Sequence, residues 1–455
     1  MAEARSHLVV IGGGIVGVST AFHARLRGWD VTLLDPRGVA GGASSGNAGI
    51  LAVSECVPVG TPGTLRAVPR MLLARDGPLH IRPSYLPRML PWLLQLLRAS
   101  TPARVEALSK VLAGLLGEAL QAHLELAGAA GVRHRIARSG WLKAFETVAG
   151  FAGARADIDL MRRRGVACET LDAQALADRE PVLQDGFARA VFHPDCHHVG
   201  EPAAYVRAIG SHLVRMGVSV REEEARGFDL MSGRVTAVRT RAGPVAADAI
   251  VLAAGAWSRD LALQLGCDVP LDTERGYHMV LDTSACRARL RHPLYWADKA
   301  IVLSPMGEQL RVTSSVEFAG LHAAPAFDRV LRHLPAVQRI LPGAELVPGS
   351  TWLGFRPSIP DSLPVIGAVP RLANAVLAFG HGHLGLTLGP ITGKLACQLL
   401  DGGPTQVPLE AFSPLRFGTG RPARPVPMRV ATCVLPASAA RPAPRPDPRP
   451  PYPRS

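Results

Sequence analysis

The chain has 455 residues, of which 47% are hydrophobic and 19% charged. This composition suits two intimately packed globular domains and excludes a disordered chain. The formal charge of +13 is uneven, because residues 421–455 carry seven Arg, eleven Pro and one Asp. That tail cannot pack a core, and the rest lacks a basic stripe interleaved with aromatic residues, so we expect no nucleic-acid partner.

The cysteines and apolar runs bear on metal binding and location. Seven Cys form no CxxC pair, and His193, His197 and His198 with Asp195 lack a distant partner, so no metal site is predicted. The first apolar stretch is rich in glycine and does not resemble a signal peptide. Residues 372–393 are uncharged but hold two His, five Gly and a Pro, which disfavour a membrane span. We expect a cytoplasmic protein, with peripheral association at the inner face of the membrane left open.

The chain opens with a predicted strand–helix–strand unit. Residues 7–11 form an apolar strand, 15–27 a helix with Gly28 just past its end, and 30–34 a second strand that ends at Asp35. Residues 38–50, GVAGGASSGNAGI, follow where a second crossover helix would stand in an NAD-binding domain. We interpret them as a ligand-facing loop.

The middle and end of the chain alternate between two patterns. Prolines recur over 58–102, and helical spacing of apolar residues runs from 103 to about 129, which indicates a lid or second domain. Residues 233–255 predict two strands around a turn and then a buried strand, and 277–318 predict an antiparallel sheet. Residues 375–379 form an apolar strand, GHGHLG a glycine-rich turn, and 386–400 a helix.

Gly12, Gly14 and Gly17 form a GxGxxG motif directly after the first strand, and acidic Asp35 ends the second. Gly12 permits the turn, Gly14 lets a pyrophosphate approach the helix N-terminus, and Gly17 allows close packing. Asp35 can accept ribose hydroxyls. The loop at 38–50 and the second glycine-rich junction at 380–386 favour FAD over NAD, because a flavin must reach a different helix from the one holding its pyrophosphate.

Several further motifs, taken with the first, resemble the D-amino acid oxidase/dehydrogenase superfamily of flavoproteins, which includes glycine and sarcosine oxidases. The resemblance runs from about residue 7 to 417 through ASSGNAGI, AAGAWSRDLALQLG, ERGYHMVLD, GFRPSIPDSLPVIG and GHGHLGLTLGPITGKLACQLLDG. The SxxNAG pattern resembles D-amino acid dehydrogenases, and the last motif resembles subgroups acting on cyclic imino acids such as hydroxy-D-proline. The segment HHVGEP after Cys196 departs from the usual dehydrogenase pattern.

The resemblance implies an α/β fold with two interleaved domains. A Rossmann-like FAD-binding domain would comprise 6–57, 195–270 and 350–413, and an antiparallel-sheet α+β substrate or cap domain 58–194 and 271–349. Residues 414–455 would be a disordered tail. The implied FAD-binding residues are Gly12, Gly14, Ile15, Val16, Gly17, Asp35, Ser44, Ser45, Asn47, Ala48, Gly49, Ala254, Gly255, Gly380, Gly382, Leu384 and Gly385. No Cys or His matches a flavin-attachment position, so FAD is expected to be non-covalent.

Three residues are the candidates for catalysis. Arg356 matches the arginine that binds the substrate carboxylate, and its planar fork suits that role, although an ion pair fixing the loop after it is the alternative. His383, like His381, either belongs to the flavin-side loop as a structural residue or takes part in catalysis. Tyr277 either lines the substrate pocket or fills the antiparallel sheet.

The predicted reaction removes the α-hydrogen of a small amino or imino acid as hydride to flavin N5, and the imino acid then hydrolyses to a 2-oxo acid. The electron acceptor is a quinone, a partner flavoprotein or O₂, and the oligomeric state is left open. Two alternatives are an FAD-binding subunit without turnover of its own, and a flavoenzyme acting on another substrate such as an RNA base.

Overall fold

The computed structural model describes residues 6–73 and 77–418. The strands are β1 His7–Ile11, β2 Asp30–Leu34, β3 Ile50–Leu51, β4 Leu79–Ile81, β5 Trp141–Phe145, β6 Glu169–Asp172, β7 Arg189–His193, β8 His197–His198, β9 Ser219–Arg221, β10 Gly227–Met231, β11 Arg234–Thr240, β12 Gly243–Ala246, β13 Ala249–Leu252, β14 Asp272–Asp282, β15 Leu294–Trp296, β16 Ile301–Met306, β17 Gln309–Phe318, β18 Glu345–Leu346, β19 Trp352–Ser358, β20 Val365–Ala368 and β21 Ala375–Phe379. The α-helices are α1 Ile15–Leu26, α2 Ala43–Gly46, α3 Pro62–Leu73, α4 Leu86–Ala99, α5 Pro102–Gly117, α6 Ala119–Ala129, α7 Val148–Gly153, α8 Arg155–Arg163, α9 Ala173–Arg179, α10 Pro202–Arg215, α11 Ser258–Gln264, α12 Asp328–Leu331, α13 Leu334–Ile340 and α14 Gly385–Leu400.

A six-stranded sheet in the order β20-β21-β13-β1-β2-β9 forms the first layer. All its pairings are parallel except that of β20 with β21. After His7, β1 is apolar and buried from Leu8 to Ile11, as expected for a strand covered on both faces. Helices α1 and α14 pack together so closely that a Cβ on Gly393 would lie 2.5 Å from the backbone nitrogen of Thr20. The carboxyl ends of β1 and β21 therefore lead into two neighbouring helices.

The second, mostly antiparallel sheet has ten strands, of which eight lie in the order β18-β14-β17-β16-β15-β5-β7-β6 and β4 pairs with β17 at its side. β19 joins it by pairing with β14, so that residues 352–358 lie in this sheet although they were predicted within the nucleotide-binding segment 350–413. Over Asp272–His278 the backbone N–H and C=O groups on one side of the long β14 need partners, and pairing with β19 supplies them. The chain then returns to the six-stranded sheet at β20.

Other elements differ from their predictions in detail. The helical stretch from 103 is two helices, α5 and α6, separated at Glu118, and the glycine-rich loop includes the short helix α2. The residues Pro414–Phe417 form a 3-10 turn packed on the core, with Pro414 buried, so a tail beginning at 414 was predicted too early. Residues 419–455 lie outside the described part of the chain.

The longest helices in the described ranges, α5 and α14, have sixteen residues each. A bilayer span needs about 20. None of the helices in these ranges has the length and apolar character to cross a membrane.

Candidate active site

The three glycines of the first motif have separate structural duties. Gly12 has φ +114°, and a Cβ there would lie 2.3 Å from the carbonyl oxygen of Ala253. A Cβ on Gly17 would lie 1.8 Å from the carbonyl oxygen of Gly12. On Gly14, by contrast, it would approach only the Ser44 hydroxyl, at 3.2 Å. Gly12 and Gly17 therefore serve packing, and Gly14 leaves the N-terminus of α1 open to a cavity.

Asp35, at the end of β2, fixes this loop. Its Oδ2 accepts the backbone N–H of Gly13 at 2.8 Å, and its Oδ1 accepts that of Arg37 at 2.8 Å. Each carboxylate oxygen keeps further acceptor capacity, and Asp35 lines the cavity. This placement is compatible with the predicted contact to ribose hydroxyls.

The SxxNAG segment is a turn held by hydrogen bonds, and it packs against the N-terminus of α1. The hydroxyl of Ser44 accepts the N–H of Ile15 at 3.0 Å, and Asn47 Oδ1 accepts that of Gly49 at 2.8 Å. Arg311 donates to the carbonyl oxygen of Asn47 at 2.8 Å. Of the predicted cofactor residues, Gly17 and Ser45 do not line the cavity, whereas the others do.

The second glycine-rich turn reaches the cavity between β21 and α14. Gly380 and Gly382 have φ of +84° and +52°, and a Cβ on Gly382 would meet open space. His381 is buried, its Nε2 lies 2.9 Å from the Thr392 hydroxyl, and burial lowers its pKa to about 3. His381 is therefore a neutral structural residue, whereas His383 is exposed to the cavity.

One continuous cavity of about 2420 Å³ joins both glycine-rich turns to the antiparallel sheet. Small-molecule pockets usually occupy about 300–1,000 Å³, so this one has room for more than one ligand. The open N-terminus of α1 suits a pyrophosphate, and the open backbone at Gly382 and Gly255 lies farther along the same cavity. These residues fit an extended dinucleotide such as FAD.

Arg356 lies on β19 and lines this cavity. A Cβ on Gly276, in β14, would lie 2.3 Å from its Nη2, so glycine makes the room for the guanidinium. Burial lowers the pKa of Arg356, and the Glu274 carboxylate opposes this shift. The following loop is held instead by Arg416, whose Nε donates to Asp361 at 2.9 Å. The loop therefore has a support of its own, and the ligand role of Arg356 stays a prediction.

A row of side chains crosses the antiparallel sheet on the cavity side, and sequence reasoning did not find it. Direct strand pairing aligns its members, and residues paired in this way share one face of a sheet. This cross-strand row consists of Lys143, Tyr295, Val302, Thr313, His278 and Trp352. Lys143 forms an ion pair with Glu55, which also lines the cavity. The row gives the cavity a wall of mixed polarity, with Trp352 at the β19 end and the charged Lys143 at the β5 end.

Tyr277 occupies the opposite face and is fully buried. Its hydroxyl donates to Glu317 at 2.5 Å and accepts the N–H of Ala326 at 3.2 Å. Glu317 is also within 3.2 Å of Arg275 and 3.1 Å of Arg82. Of the two roles considered for Tyr277, the structure favours filling the sheet, because neighbouring residues of a strand face opposite sides and Gly276 faces the cavity.

The three histidines near Asp195 hold backbone groups. His198 Nε2 lies 3.0 Å from the carbonyl oxygen of Ala48, and His193 Nδ1 lies 3.3 Å from that of Ala167. Over residues 6–73 and 77–418 no group of three or more His, Cys, Asp or Glu side chains is placed to hold a metal ion.

Known structures share the fold. Glycine oxidase from Geobacillus kaustophilus superposes with a TM-score of 0.69 over 90% of this chain and 98% of its own, at 21% identity. L-proline dehydrogenase from P. horikoshii gives a TM-score of 0.69 over 91% and 98%, at 17% identity. At these identities the likeness establishes the fold alone.

The sequence itself carries the family relationship. A D-amino-acid oxidase of Bradyrhizobium diazoefficiens is 40% identical over 92% of this chain and all of its own length. A D-amino acid dehydrogenase of Rhodopseudomonas palustris is 27% identical over 91% and 98%. The model of the family described as DAO, FAD dependent oxidoreductase, matches residues 7–399. The chain therefore belongs to the DAO family of FAD-dependent oxidoreductases.

Proposed function

We propose that this enzyme oxidises a small D-amino acid or D-imino acid, such as D-proline or hydroxy-D-proline, at its α-carbon. The observation that carries the proposal is Arg356, a guanidinium facing the same cavity as the two glycine-rich turns. The 40% identity to a D-amino-acid oxidase supports a D-configured substrate. The product would be the imino acid, which water hydrolyses to a 2-oxo acid where the amine is primary.

Each part of the cavity contributes to substrate placement. Arg356 would bind the carboxylate through two parallel hydrogen bonds. The cross-strand row would bound the substrate side chain, with Val302 and Thr313 near the middle and Lys143 at the far end. FAD held at the two glycine-rich turns would supply the two-electron redox chemistry. The chain's own part is to orient the substrate and exclude other poses.

A panel of candidate amines added to the purified protein without oxygen tests this proposal. We expect bleaching of the yellow flavin by one or more of glycine, sarcosine, D-alanine, D-proline and hydroxy-D-proline. The L-forms of alanine, proline and hydroxyproline should cause none. If no amine bleaches it, the chain is an FAD-binding subunit or acts on another class of substrate. Adding O₂, a soluble quinone or a flavoprotein acceptor to the bleached protein would then identify the electron acceptor.

We also infer that FAD is held without a covalent bond. Within the described residues no cysteine lines the cavity. Two histidines line it, His383 and His381, and the Nε2 atom of His381 already forms a hydrogen bond with the Thr392 hydroxyl. After acid precipitation the yellow colour should stay in the supernatant. Colour in the pellet would contradict this inference.

We further propose that a cytoplasmic pool of the protein associates with anionic membranes through α4. Leu86, Leu90, Leu94 and Leu97 are spaced along one face of α4 and are 44%, 52%, 47% and 50% exposed. Residues 56–105 contain seven Arg and one Asp. An exposed leucine face beside arginines is typical of helices that lie in the interface of an anionic bilayer.

Sedimentation with vesicles tests this surface. The protein should sediment with phosphatidylserine-containing vesicles and not with phosphatidylcholine alone, and Leu90→Ser with Leu94→Ser should abolish the difference. Val214→Ser, at a site 56% exposed on α10, is the matched control and should bind as wild type. Equal sedimentation of all proteins, or none, would contradict the proposal.

A further inference from the structure

Glu274 is a buried carboxylate beside the proposed carboxylate-binding arginine. It is 2% exposed, and the strand register places its Cα opposite that of Arg356. Its Oε1 accepts the hydroxyl of Ser358 at 2.6 Å. Its Oε2 is buried and receives no hydrogen bond from any residue of the described ranges. Leaving a buried carboxylate oxygen without a donor is costly, so this oxygen calls for a cationic partner.

His383 is placed to become that partner. Its Nε2 lies 3.4 Å from Glu274 Oε2, and its side chain is 42% exposed to the cavity. It lies on the turn before α14, which positions the imidazole between the buried carboxylate and the space where a ligand of Arg356 would bind. One ring nitrogen faces Glu274, which leaves Nδ1 for a ligand.

The charges around His383 come from three elements. Burial and the nearby Arg356 lower the pKa of His383, whereas Glu274 and Glu55 raise it. The net shift of the pKa is downward, which favours the neutral imidazole, the form that can accept a proton. A substrate carboxylate bound to Arg356 would offset the guanidinium charge and make the protonated imidazole more stable.

We propose that His383, supported by Glu274, is the base that removes the proton from the α-ammonium group of the substrate. This proposal rests on the proposed amino-acid oxidation. An N–H bond of the ammonium breaks, its electron pair stays on nitrogen, and the proton forms an N–H bond to the imidazole. The imidazolium then faces Glu274 Oε2 and later releases its proton to water through the cavity. His383 is the catalytic residue, and Glu274 is a positioning residue that stabilises its cationic form.

The pH dependence of anaerobic flavin reduction distinguishes the roles of the two residues. If the imidazole takes the proton in the transition state of flavin reduction, the rate depends on neutral His383 rather than on free amine, so it should stay level down to the pKa of His383. His383→Gln should move the acid limb upward to the pKa of the bound ammonium. Its rate at pH 7 should fall by roughly 10²–10⁴-fold and recover at high pH.

Glu274→Gln keeps the imidazole and weakens it as a base. The level rate should fall by roughly tenfold for each unit by which the pKa of His383 falls, and the acid limb should move to lower pH. NMR of histidine-labelled protein gives a second measurement that is independent of turnover. The resonance that is absent from His383→Gln should titrate at lower pH in Glu274→Gln than in wild type.

Flavin content and the binding of propionate, a carboxylic acid without an amine, serve as controls. Flavin content should be unchanged in both variants, and propionate should bind His383→Gln as it binds wild type and Glu274→Gln at least as tightly, because the negative charge beside Arg356 is removed. The proposal would be overturned if His383→Gln showed the same acid limb and the same rate of flavin reduction as wild type. So would a Glu274→Gln protein that loses propionate binding while its acid limb stays unchanged, because Glu274 would then serve Arg356. Failure of every amine to bleach the wild-type protein at any pH would instead contradict the proposed function.

Discussion

At the scale of single residues, Arg356 should matter to substrate binding and turnover far more than to folding. Removing one member of a buried charge-assisted pair costs roughly 2–5 kcal/mol, so Arg356→Ala should lower kcat/KM by roughly 30-fold to several thousand-fold. Arg356→Lys should recover only part of the loss, because an ammonium lacks the two-pronged geometry. Steady-state kinetics and flavin absorbance measure both effects.

Arg416→Ala is the matched control, because the ion pair of Arg416 with Asp361 lies outside the cavity. It should lower the melting temperature and leave kcat/KM near wild type. Loss of FAD or of thermal stability in Arg356→Ala, with normal turnover of the flavin that remains, would make Arg356 a structural residue and refute its assignment to the substrate.

Tyr277→Phe tests the buried position of that residue. Removing the hydroxyl takes one hydrogen-bond donor from the buried Glu317, which keeps Arg82 and Arg275 as partners. The loss should lower the free energy of unfolding by about 1–3 kcal/mol. Turnover at a temperature where the variant is folded should stay within about threefold of wild type. A large fall in kcat without a change in denaturation midpoint would place Tyr277 in the reaction instead.

At the scale of secondary-structure elements, the first glycine-rich junction separates cofactor binding from folding. Gly14 has an ordinary φ of −74°, and only the Ser44 hydroxyl is near its Cβ position. Gly14→Val should therefore fold, with wild-type circular dichroism, and retain no FAD, since the side chain would occupy the open helix N-terminus. Gly17→Val should fail to fold, because its Cβ would lie 1.8 Å from a backbone oxygen. A yellow Gly14→Val protein would refute this role.

Elements that are fixed by short-range pattern were predicted well. The unit β1–α1–β2 matches its prediction within one residue, because apolar runs and glycines punctuate it locally. β19 was missed because Gly354 and Pro357 count against a strand, and only pairing with the distant β14 makes it one. The cross-strand row and the approach of His383 to Glu274 depend on register between distant segments, which the sequence pattern does not specify.

At the scale of the whole molecule, the packed chain extends past the predicted start of the tail. Phe412 is fully buried, and Arg416 donates to the carbonyl oxygens of Phe412 and Leu363. Truncation after Gly420 should leave flavin content and turnover near wild type. Truncation after Val407 should yield an unstable protein, because it removes this contact. A large loss in the first truncation would show that residues 421–455 dock on the core or hold a partner.

The pairing of α1 with α14 also sets when the protein can mature during synthesis. β1 lies between β2 and β13, and its helix packs against one that ends at Leu400. In a nascent chain β1 can pair with β2 early, but α1 lacks its α14 partner until nearly all of the described sequence has left the ribosome. Such long-range closure slows folding and prolongs exposure of apolar surface. The α1 surface that α14 covers is therefore buried late, and we expect the complete cavity to form only once α14 has been made.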